Sequence, residues 1–253
     1  MDEMTLVPVE LTVFGGTLRA KVPVPSGPCV PADLMPVFHS IGAAVVQLSV
    51  LAAEKKGKKV SCKKGCGACC RQLVPVSETE GVGLLNMVNA MPEPRRLELL
   101  ARFERVRTRL EAAGILERAM NGSSLRGDER SALSAEYFKL QEPCPFLENE
   151  CCSLYPDWPM VCREFMVTTP AEWCATLDDR VEMVPLGLLP GTALYWVNAG
   201  PDDTMVKWFP LSLLFEWAKD MPDPPPPRPG PEVLLRFVDR MVERGALPPA
   251  EIQ

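Results

Sequence analysis

The feature that most constrains this chain is a run of four cysteines within nine residues: Cys62, Cys66, Cys69 and Cys70. Spacings of two or three residues allow successive thiolates to curl around one metal ion, at sulfur–metal distances of about 2.3 Å. Gly65 and Gly67 are interposed, and glycine permits the positive φ angles and the close backbone approach that such a turn needs. Free cysteines are also common in apolar cores, but ordinary burial does not account for this clustering. The run therefore predicts a metal centre that holds zinc or an iron–sulfur cluster.

A second group of cysteines lies further along the chain. Because the side chains of adjacent residues diverge, we expect Cys69 and Cys70 not to bind the same metal. One of them should face a second metal, or a ligand set completed by the second group. Two four-thiolate sites, or one cluster and one separate ion, would use eight predicted metal ligands: Cys62, Cys66, Cys69, Cys70, Cys144, Cys152, Cys162 and Cys174. Cys151 stays open as a ligand, whereas Cys29 is predicted to be an ordinary buried cysteine.

Positive charge accumulates around the start of the first cysteine group, at Lys55, Lys56, Lys58, Lys59, Lys63 and Lys64. A four-thiolate zinc site carries a formal charge of about −2. These lysines and Arg71 would offset that charge and lower the pKa of the thiols. The alternative is a solvated helix end, which is the usual explanation of a charge run. Neither interpretation distinguishes zinc from iron.

The composition indicates a soluble protein with an apolar core of its own. The 253 residues suffice for one large domain, or for a core domain with an appended subdomain, and 47% of them are hydrophobic. A net charge of −6 argues against binding to nucleic acid or to an anionic membrane. The N-terminus lacks a secretory pattern, and the apolar stretch 41–53 is too short to span a bilayer. We therefore expect a cytoplasmic location, where ten cysteines serve metal binding or redox chemistry rather than disulfides.

Hydrophobic periodicity predicts an α+β fold that is mainly α-helical, with an N-terminal β-hairpin and a loop-rich cysteine metal centre. Alternation around Gly15-Gly16 predicts the hairpin over residues 8–24. Ser77-Glu78-Thr79-Glu80 is a capping-box pattern that opens a helix over residues 77–91. Other helices are expected at 33–54, 94–120, 211–219 and 232–244, turns at 121–130, and two short strands at 181–198.

These elements divide the chain into five segments: an N-terminal hairpin and helix (1–57), the cysteine-cluster metal-binding domain (58–175), short strands and a helix packing on the core (176–221), a proline-rich linker (222–231) and a C-terminal helix (232–253). The linker holds seven prolines, which favour an extended polyproline conformation. It is interpreted as a spacer, with docking into an aromatic groove of a protein partner as the alternative.

Both cysteine groups resemble the YkgJ-like cysteine-cluster proteins, a family of zinc- or iron-chelating domains. The family pattern begins with C-x3-C-x2-C-C, and its second block reads roughly C-P-F-L, then C-x-I-Y, then R-P-x-x-C-R. The matching segments here are Cys62 to Cys70, Arg71, Leu73-Val74-Pro75-Val76-Ser77 with Glu80, Cys144-Pro145-Phe146-Leu147, Cys152-Ser153-Leu154-Tyr155 and Pro159-Met160-Val161-Cys162-Arg163. Trp158 replaces the usual arginine before the proline, and Cys151 is an extra thiol beside Cys152. The resemblance covers about residues 58–175 and implies metal chelation.

Two classes of function follow from these observations. The first is a metal-binding protein with a structural or electron-transfer centre, in which Phe146, Leu147, Leu154 and Tyr155 limit solvent access. The second is an enzyme, since flagellin lysine methylase is similar through the same cysteine pattern, which implies methyl transfer at an iron–sulfur centre. The Cys62–Cys69 spacing also matches radical S-adenosylmethionine enzymes, but the βα repeats of those enzymes are not visible. The single histidine, His39, is predicted to be a packed helix residue rather than a base or ligand.

Overall fold

The computed structural model describes residues 3–155, 157–176, 178–200 and 205–245. Within them the fold is α+β and mainly helical, as the sequence predicts. The strands are β1 (Met4–Val13), β2 (Gly16–Pro25), β3 (Pro28–Cys29), β4 (Pro75–Ser77), β5 (Leu147–Glu148), β6 (Cys151–Cys152), β7 (Trp208–Pro210) and β8 (Arg228–Pro229). The helices are α1 (Met35–Lys55), α2 (Glu78–Asn89), α3 (Glu93–Ala112), α4 (Leu116–Met120), α5 (Gly127–Lys139), α6 (Met160–Glu164), α7 (Pro190–Trp196), α8 (Leu214–Trp217) and α9 (Gly230–Gly245).

The predicted N-terminal hairpin is confirmed. Strands β1 and β2 pair antiparallel, with Val9 opposite Ala20. The turn between them has positive φ at both Phe14 (48°) and Gly15 (80°), which is the requirement of the tight hairpin turn whose twist matches the strands. Alternate residues of β1, from Val7 to Val13, are buried on one face. The hairpin is therefore a one-sided sheet that needs a helical layer against it.

Helices α1 and α9 supply that layer. Together with the hairpin they form an apolar cluster, here called the terminal core, in which Phe38 of α1 and Phe237 of α9 are fully buried with ring centroids 4.3 Å apart. The predicted helices at 33–54 and 232–244 are thus confirmed, although they pack together rather than lying in separate segments. The last eight residues of the predicted segment 232–253 lie outside the described residues.

One described helical segment, Pro31–Lys55, has the length and the mean hydropathy to cross a membrane. The apolar stretch considered in the sequence, residues 41–53, is only part of it. In this fold Phe38 and Val45 of that segment are fully buried within the terminal core. Its apolar composition is therefore matched by packing inside the protein.

The middle of the chain is helical, with boundaries that differ from those predicted. The capping box opens α2, because Ser77 Oγ accepts the Glu80 N–H at 3.2 Å and Glu80 accepts the Ser77 N–H at 3.1 Å. The single helix expected at 94–120 is wrong: α3 ends at Ala112, and Gly114 at φ +70° turns the chain into α4. Helix α5 extends over part of the segment expected to be turns. Polar composition hid α5 because it buries only a narrow face, namely Leu133, Tyr137 and Phe138.

Two further expectations are corrected by tertiary contacts. The two strands expected within residues 181–198 are wrong: Met183 forms only an isolated bridge with Val167, and Pro190–Trp196 form helix α7. Pro190 occupies the first turn of α7, and the Gly191 N–H donates to the buried Glu164 carboxylate at 2.6 Å. The proline-rich segment is extended up to residue 227, but Arg228 and Pro229 then pair with β3, and α9 begins at Gly230. The spacer is therefore fastened to the hairpin end of the terminal core. The short helix at 211–219 is confirmed as α8 with helical turns on both sides.

Candidate metal centre

The first cysteine group lies on two consecutive turns. The first is closed by the Cys66 N–H donating to the Lys63 carbonyl at 3.1 Å, and Gly65 takes a φ of +87°, as its position in the motif predicts. The second is a 3-10 turn over Ala68–Arg71, closed by the Cys70 N–H donating to the Gly67 carbonyl at 3.0 Å. The motif therefore curls, as its spacing predicts.

The second glycine serves close approach rather than an unusual dihedral angle. Gly67 has an ordinary φ of −96°. A Cβ atom there would lie 2.4 Å from Glu150 Oε2 and 2.9 Å from Leu147 Cδ1. Both residues belong to the β5–β6 hairpin of the second cysteine group. At Gly67 the backbone of the first cysteine group is therefore in close contact with the Leu147 and Glu150 side chains of the second group.

Polar contacts of Cys144 and Arg71 hold the second group against the first. The Cys144 N–H donates to the Cys70 carbonyl at 2.8 Å. Arg71 donates to both carboxylate oxygens of Glu150, at 2.7 and 3.1 Å, and to the Gly67 carbonyl at 2.8 Å. Glu150 and its neighbour Asn149 both have positive φ (59° and 50°) in the two-residue turn of the hairpin. The turn thus directs a carboxylate at the arginine that follows the cysteine run.

The capping residue Glu80 forms another link, which the sequence did not reveal. Besides capping α2, its carboxylate accepts the Met160 N–H at 2.7 Å, at the start of α6. Helix α6 carries Cys162, so the start of α2 and the last cysteines are joined through one buried carboxylate. Burial raises the pKa of Glu80, while the bonds from Met160 and Ser77 lower it.

The segment around Val167 fixes the other edge of the first group. The Val167 N–H donates to Cys62 Sγ at 3.4 Å. The Ser61 N–H in turn donates to the Val167 carbonyl at 2.9 Å. The neighbouring 3-10 turn, Ala171–Ala175, packs against Ala68–Arg71 and carries Cys174. Cys174 is thereby placed beside the first group rather than the second.

The thiols fall into two electrostatic groups. Burial, followed by the charges of Cys62, Cys69 and Cys66, raises the pKa of Cys174 to about 11. Burial also raises the pKa of Cys162, to which Cys144, Cys69 and Cys152 add. The first of these groups combines both stretches of the chain and contains Cys62, Cys66 and Cys174. The second comes from the second stretch alone and contains Cys144, Cys152 and Cys162.

Cys69 belongs to both groups. Its charge raises the pKa of Cys62 and Cys174 on one side, and of Cys144, Cys152 and Cys162 on the other. A hydrogen bond with the Cys70 thiol is the first cause that raises the pKa of Cys69 itself, followed by burial. Both residues lie on the same 3-10 turn, Ala68–Arg71. The expectation that Cys69 and Cys70 bind different metals stays a prediction.

Backbone N–H groups are directed at several of the sulfurs. The Phe146 N–H bonds to Cys144, and the N–H groups of Leu154 and Tyr155 bond to Cys152. Each of these bonds lowers the pKa of its thiol against the effect of burial. Donors of this kind stabilise the thiolate, which is the form that binds metal.

The fit to a metal rests on the chemistry of the donor atoms. All ten cysteines are free thiols, and soft thiolates suit zinc and iron–sulfur clusters. Nevertheless, among the residues that the structure describes, no three His, Cys, Asp or Glu side chains lie close enough to hold an ion without moving. The assignment of eight cysteines as ligands therefore stays a prediction.

The remaining candidates lie as follows. Cys29 is buried in the terminal core, as predicted. Cys151 alternates with Cys152 on a strand, so their side chains point to opposite faces, and Cys152 is the one that interacts with Cys69. His39 lies in α1, where burial, followed by the charge of Arg163, lowers its pKa to about 4. It is neutral at pH 7 and agrees with a packed residue.

The apolar surroundings are confirmed only in part. Phe146 and Leu154 are buried, and Leu147 is half-buried. Tyr155 is 72% exposed and packs against Trp158, with ring centroids 5.6 Å apart, so the prediction that it covers the centre is wrong.

Arg163, which follows Cys162, contacts Trp158, the residue that replaces the usual arginine of the family. Arg163 Nε donates to the Trp158 carbonyl at 2.9 Å, and its guanidinium lies 5.8 Å from the Trp158 ring centroid.

The six lysines between residues 55 and 64, before and within the first cysteine group, are all exposed. Their exposure favours the interpretation of this charge run as a solvated helix end.

Comparison with known proteins gives one match. The family model described as "Putative zinc- or iron-chelating domain" matches residues 61–178. The matched segment spans a little under half of the chain. The match covers both cysteine groups and confirms the resemblance to YkgJ-like proteins. A search of curated proteins and a search of solved structures found no match to the chain. The match to the family model supports metal binding and leaves zinc and iron as alternatives.

Proposed function

We propose that this protein chelates zinc or iron–sulfur at two all-cysteine centres that share the Cys69-Cys70 corner. One centre would use Cys62, Cys66 and Cys174, and the other Cys144, Cys152 and Cys162, with the tandem pair completing both. The observation that carries the proposal is the electrostatic interaction of Cys69 with both groups. The bond from the Cys144 N–H to the Cys70 carbonyl supports the same corner from the backbone.

A structural or electron-transfer role follows from the ligand count. Eight thiolates fill two four-coordinate shells and leave no position open for a substrate. The N–H groups directed at Cys144 and Cys152 would reduce the negative charge on the sulfurs, which tunes a redox centre and stabilises a structural one alike. Free thiols in this number also fit the proposed cytoplasmic location.

Anaerobic purification followed by elemental analysis and a visible spectrum tests the proposal. A brown sample with iron and acid-labile sulfide would favour electron transfer, or methyl transfer as in the flagellin lysine methylase alternative. A colourless sample with two zinc ions per chain would favour a structural role. A chain that contains neither metal, after expression with both supplied, contradicts chelation.

The partition into two centres has its own test. In Cys174→Ser and in Cys144→Ser we expect metal content to fall by about half, because each change breaks one four-ligand set. Cys152→Ser should behave like Cys144→Ser, while Cys151→Ser serves as the matched control with unchanged metal. Complete loss in both single variants would indicate one shared cluster instead. Loss in Cys151→Ser equal to that in Cys152→Ser would contradict the assignment of the hairpin ligand.

A further inference from the structure

We propose that a cavity beside the N-terminal hairpin binds a small amphipathic anion, a ligand with a hydrocarbon body and a carboxylate or similar head group. The cavity has a volume of about 460 Å³, within the range of small-molecule sites. Its lining comes from the hairpin tip, the end of α1, Thr168 and the segment 182–185, and includes Phe14, Ala52, Lys56, Lys58, Glu182 and Met183. The inference does not rest on the metal centre.

The hairpin tip gives the cavity an aromatic wall. Phe14 has a φ of +48°, a left-handed conformation that a bulky side chain rarely adopts. Its ring lies against Gly187, where a Cβ would be 3.4 Å from two ring atoms. The side chain nevertheless remains 50% exposed, and Met183 is 48% exposed. The backbone therefore holds apolar surface at the cavity mouth that the fold itself does not bury, and strained positions of this kind concentrate at binding sites.

The charges around the cavity favour an anion. Lys58 forms an ion pair with Glu182, so these two charges offset each other. Lys56 Nζ lies 5.9 Å from the Phe14 ring centroid and forms no ion pair with any residue that the structure describes. The lining thus carries one uncompensated positive charge next to an aromatic ring, in a chain whose net charge is −6. A carboxylate at Lys56, with its hydrocarbon body against Phe14 and Ala52, satisfies both features.

The cavity is separated from the cysteine centre by one stretch of backbone. Thr168 lines the cavity, and the preceding Val167 donates its N–H to Cys62 Sγ. Since no cysteine is among the lining residues, ligand binding can be measured independently of metal content.

Calorimetric titration of the full chain, purified with its metal, with octanoate and with octylammonium tests the proposal. The two probes share a hydrocarbon body and carry opposite charges. We expect saturable octanoate binding, and octylammonium binding weaker by about fivefold, the upper value for one exposed ion pair. The absence of saturable octanoate binding, or equal affinity for both probes, would overturn the proposal.

Three variants locate the site. Ala52→Phe should abolish octanoate binding by filling the cavity, and Lys56→Gln should weaken it by about fivefold. Lys55→Gln removes a neighbouring lysine that does not line the cavity and should leave the affinity unchanged. If circular dichroism shows that Ala52→Phe is unfolded, Phe14→Ala, at the exposed hairpin tip, provides the second test, with binding weakened at least threefold by loss of the aromatic wall. Wild-type affinity in the folded cavity variant, or equal effects of the two lysine changes, would contradict the site.

Discussion

The terminal core and the junction between the two cysteine-bearing stretches are held together by different forces. In the terminal core the hairpin, α1 and α9 bury aliphatic side chains and the Phe38–Phe237 pair. The cysteine region, residues 61–178, has apolar packing of its own around Phe103, Phe146 and Leu154, but its two sulfur-bearing stretches are joined by single polar contacts, such as the Cys144 N–H to the Cys70 carbonyl and the Arg71–Glu150 pair. Apolar burial contributes about 1.5–3 kcal/mol per large side chain, whereas one hydrogen bond contributes about 1 kcal/mol.

The comparison teaches where a metal matters. Buried thiols next to one another contribute little to a stable core as thiolates, because burial raises the pKa of Cys144 to about 12 and that of Cys174 to about 11 and no positive charge offsets it. A bound metal would provide that charge and link the two stretches at the same time. We therefore expect the stability of the cysteine region, and not that of the terminal core, to depend on metal.

Removal of a ligand should give the largest effect. Cys66→Ser is expected to strip the metal of its own centre, about half of the total as in Cys174→Ser, and to destabilise the cysteine region, because structural zinc binding contributes about 10–16 kcal/mol in small peptides. Metal analysis together with hydrogen exchange checks this, with loss of protection in residues 61–178 and retention in the hairpin. The matched control is Cys29→Ala, which alters a cysteine of the terminal core and should keep full metal content. If Cys66→Ser keeps the metal content and the melting temperature of the wild type, the claim that metal stabilises the cysteine region is contradicted.

Truncation of a side chain in the terminal core tests whether apolar burial stabilises that region independently of metal. Phe237→Ala should lower the free energy of unfolding by about 3–5 kcal/mol, since the side chain is fully buried against Phe38. Denaturant unfolding measures the change, and metal content per folded chain should not change. A variant that loses metal in proportion to its stability would indicate that the two regions fold as one unit.

The contact between the two cysteine groups can be probed at Gly67. Gly67→Ala places a methyl group 2.4 Å from Glu150 Oε2 and should destabilise the protein by about 1–3 kcal/mol. Gly27→Ala is the control, because nothing lies within 4 Å of its added Cβ, and its effect should stay within about 0.5 kcal/mol. Equal melting temperatures for the two variants would show that the groups do not press together at this point.

An exposed ion pair of the hairpin should give the smallest effect. Hydrogen bonds from Arg19, at 2.9 and 3.1 Å, lower the pKa of Glu10 below its ordinary value of 4.5. The folded carboxylate therefore binds protons less readily than the unfolded one, so its contribution is present above pH 4.5 and is lost as the pH falls through the lowered pKa. Glu10→Gln should lower the melting temperature slightly at neutral pH and by less in acid.

The control for that change is Glu54→Gln, at an exposed carboxylate without an ion pair among the described residues. Thermal melts from about pH 7 to about pH 3 measure the difference. A decrease in melting temperature for Glu10→Gln that is equal at both ends of this range would contradict the assignment to the Arg19 pair.

Local signals in the sequence were sufficient for much of the fold. The hairpin, the buried helix α1 and the capping box of α2 each depend on residues within one turn, one helix or one pair of strands. The residues that determine each of these elements are therefore close together in the sequence. The same holds for the curled cysteine motif, in which Gly65 adopts the positive φ that its position requires. Where the outcome depended on partners distant in sequence, prediction failed: α7 needs the Glu164 carboxylate at its first turn, and the exposure of Tyr155 depends on how the chain turns towards Trp158.

The sequence by itself therefore determined that this protein has a thiol-rich segment with the cysteine pattern of a zinc- or iron-chelating domain, and an apolar framework beside it, because spacing and hydrophobic periodicity are properties of short stretches. Only the tertiary structure decided which thiols are neighbours. Cys174 lies with Cys62 and Cys66, Cys162 lies with Cys144, and Cys69 interacts with both sets. Such pairings depend on backbone bonds and buried carboxylates that join residues far apart in the chain, and no local pattern encodes them.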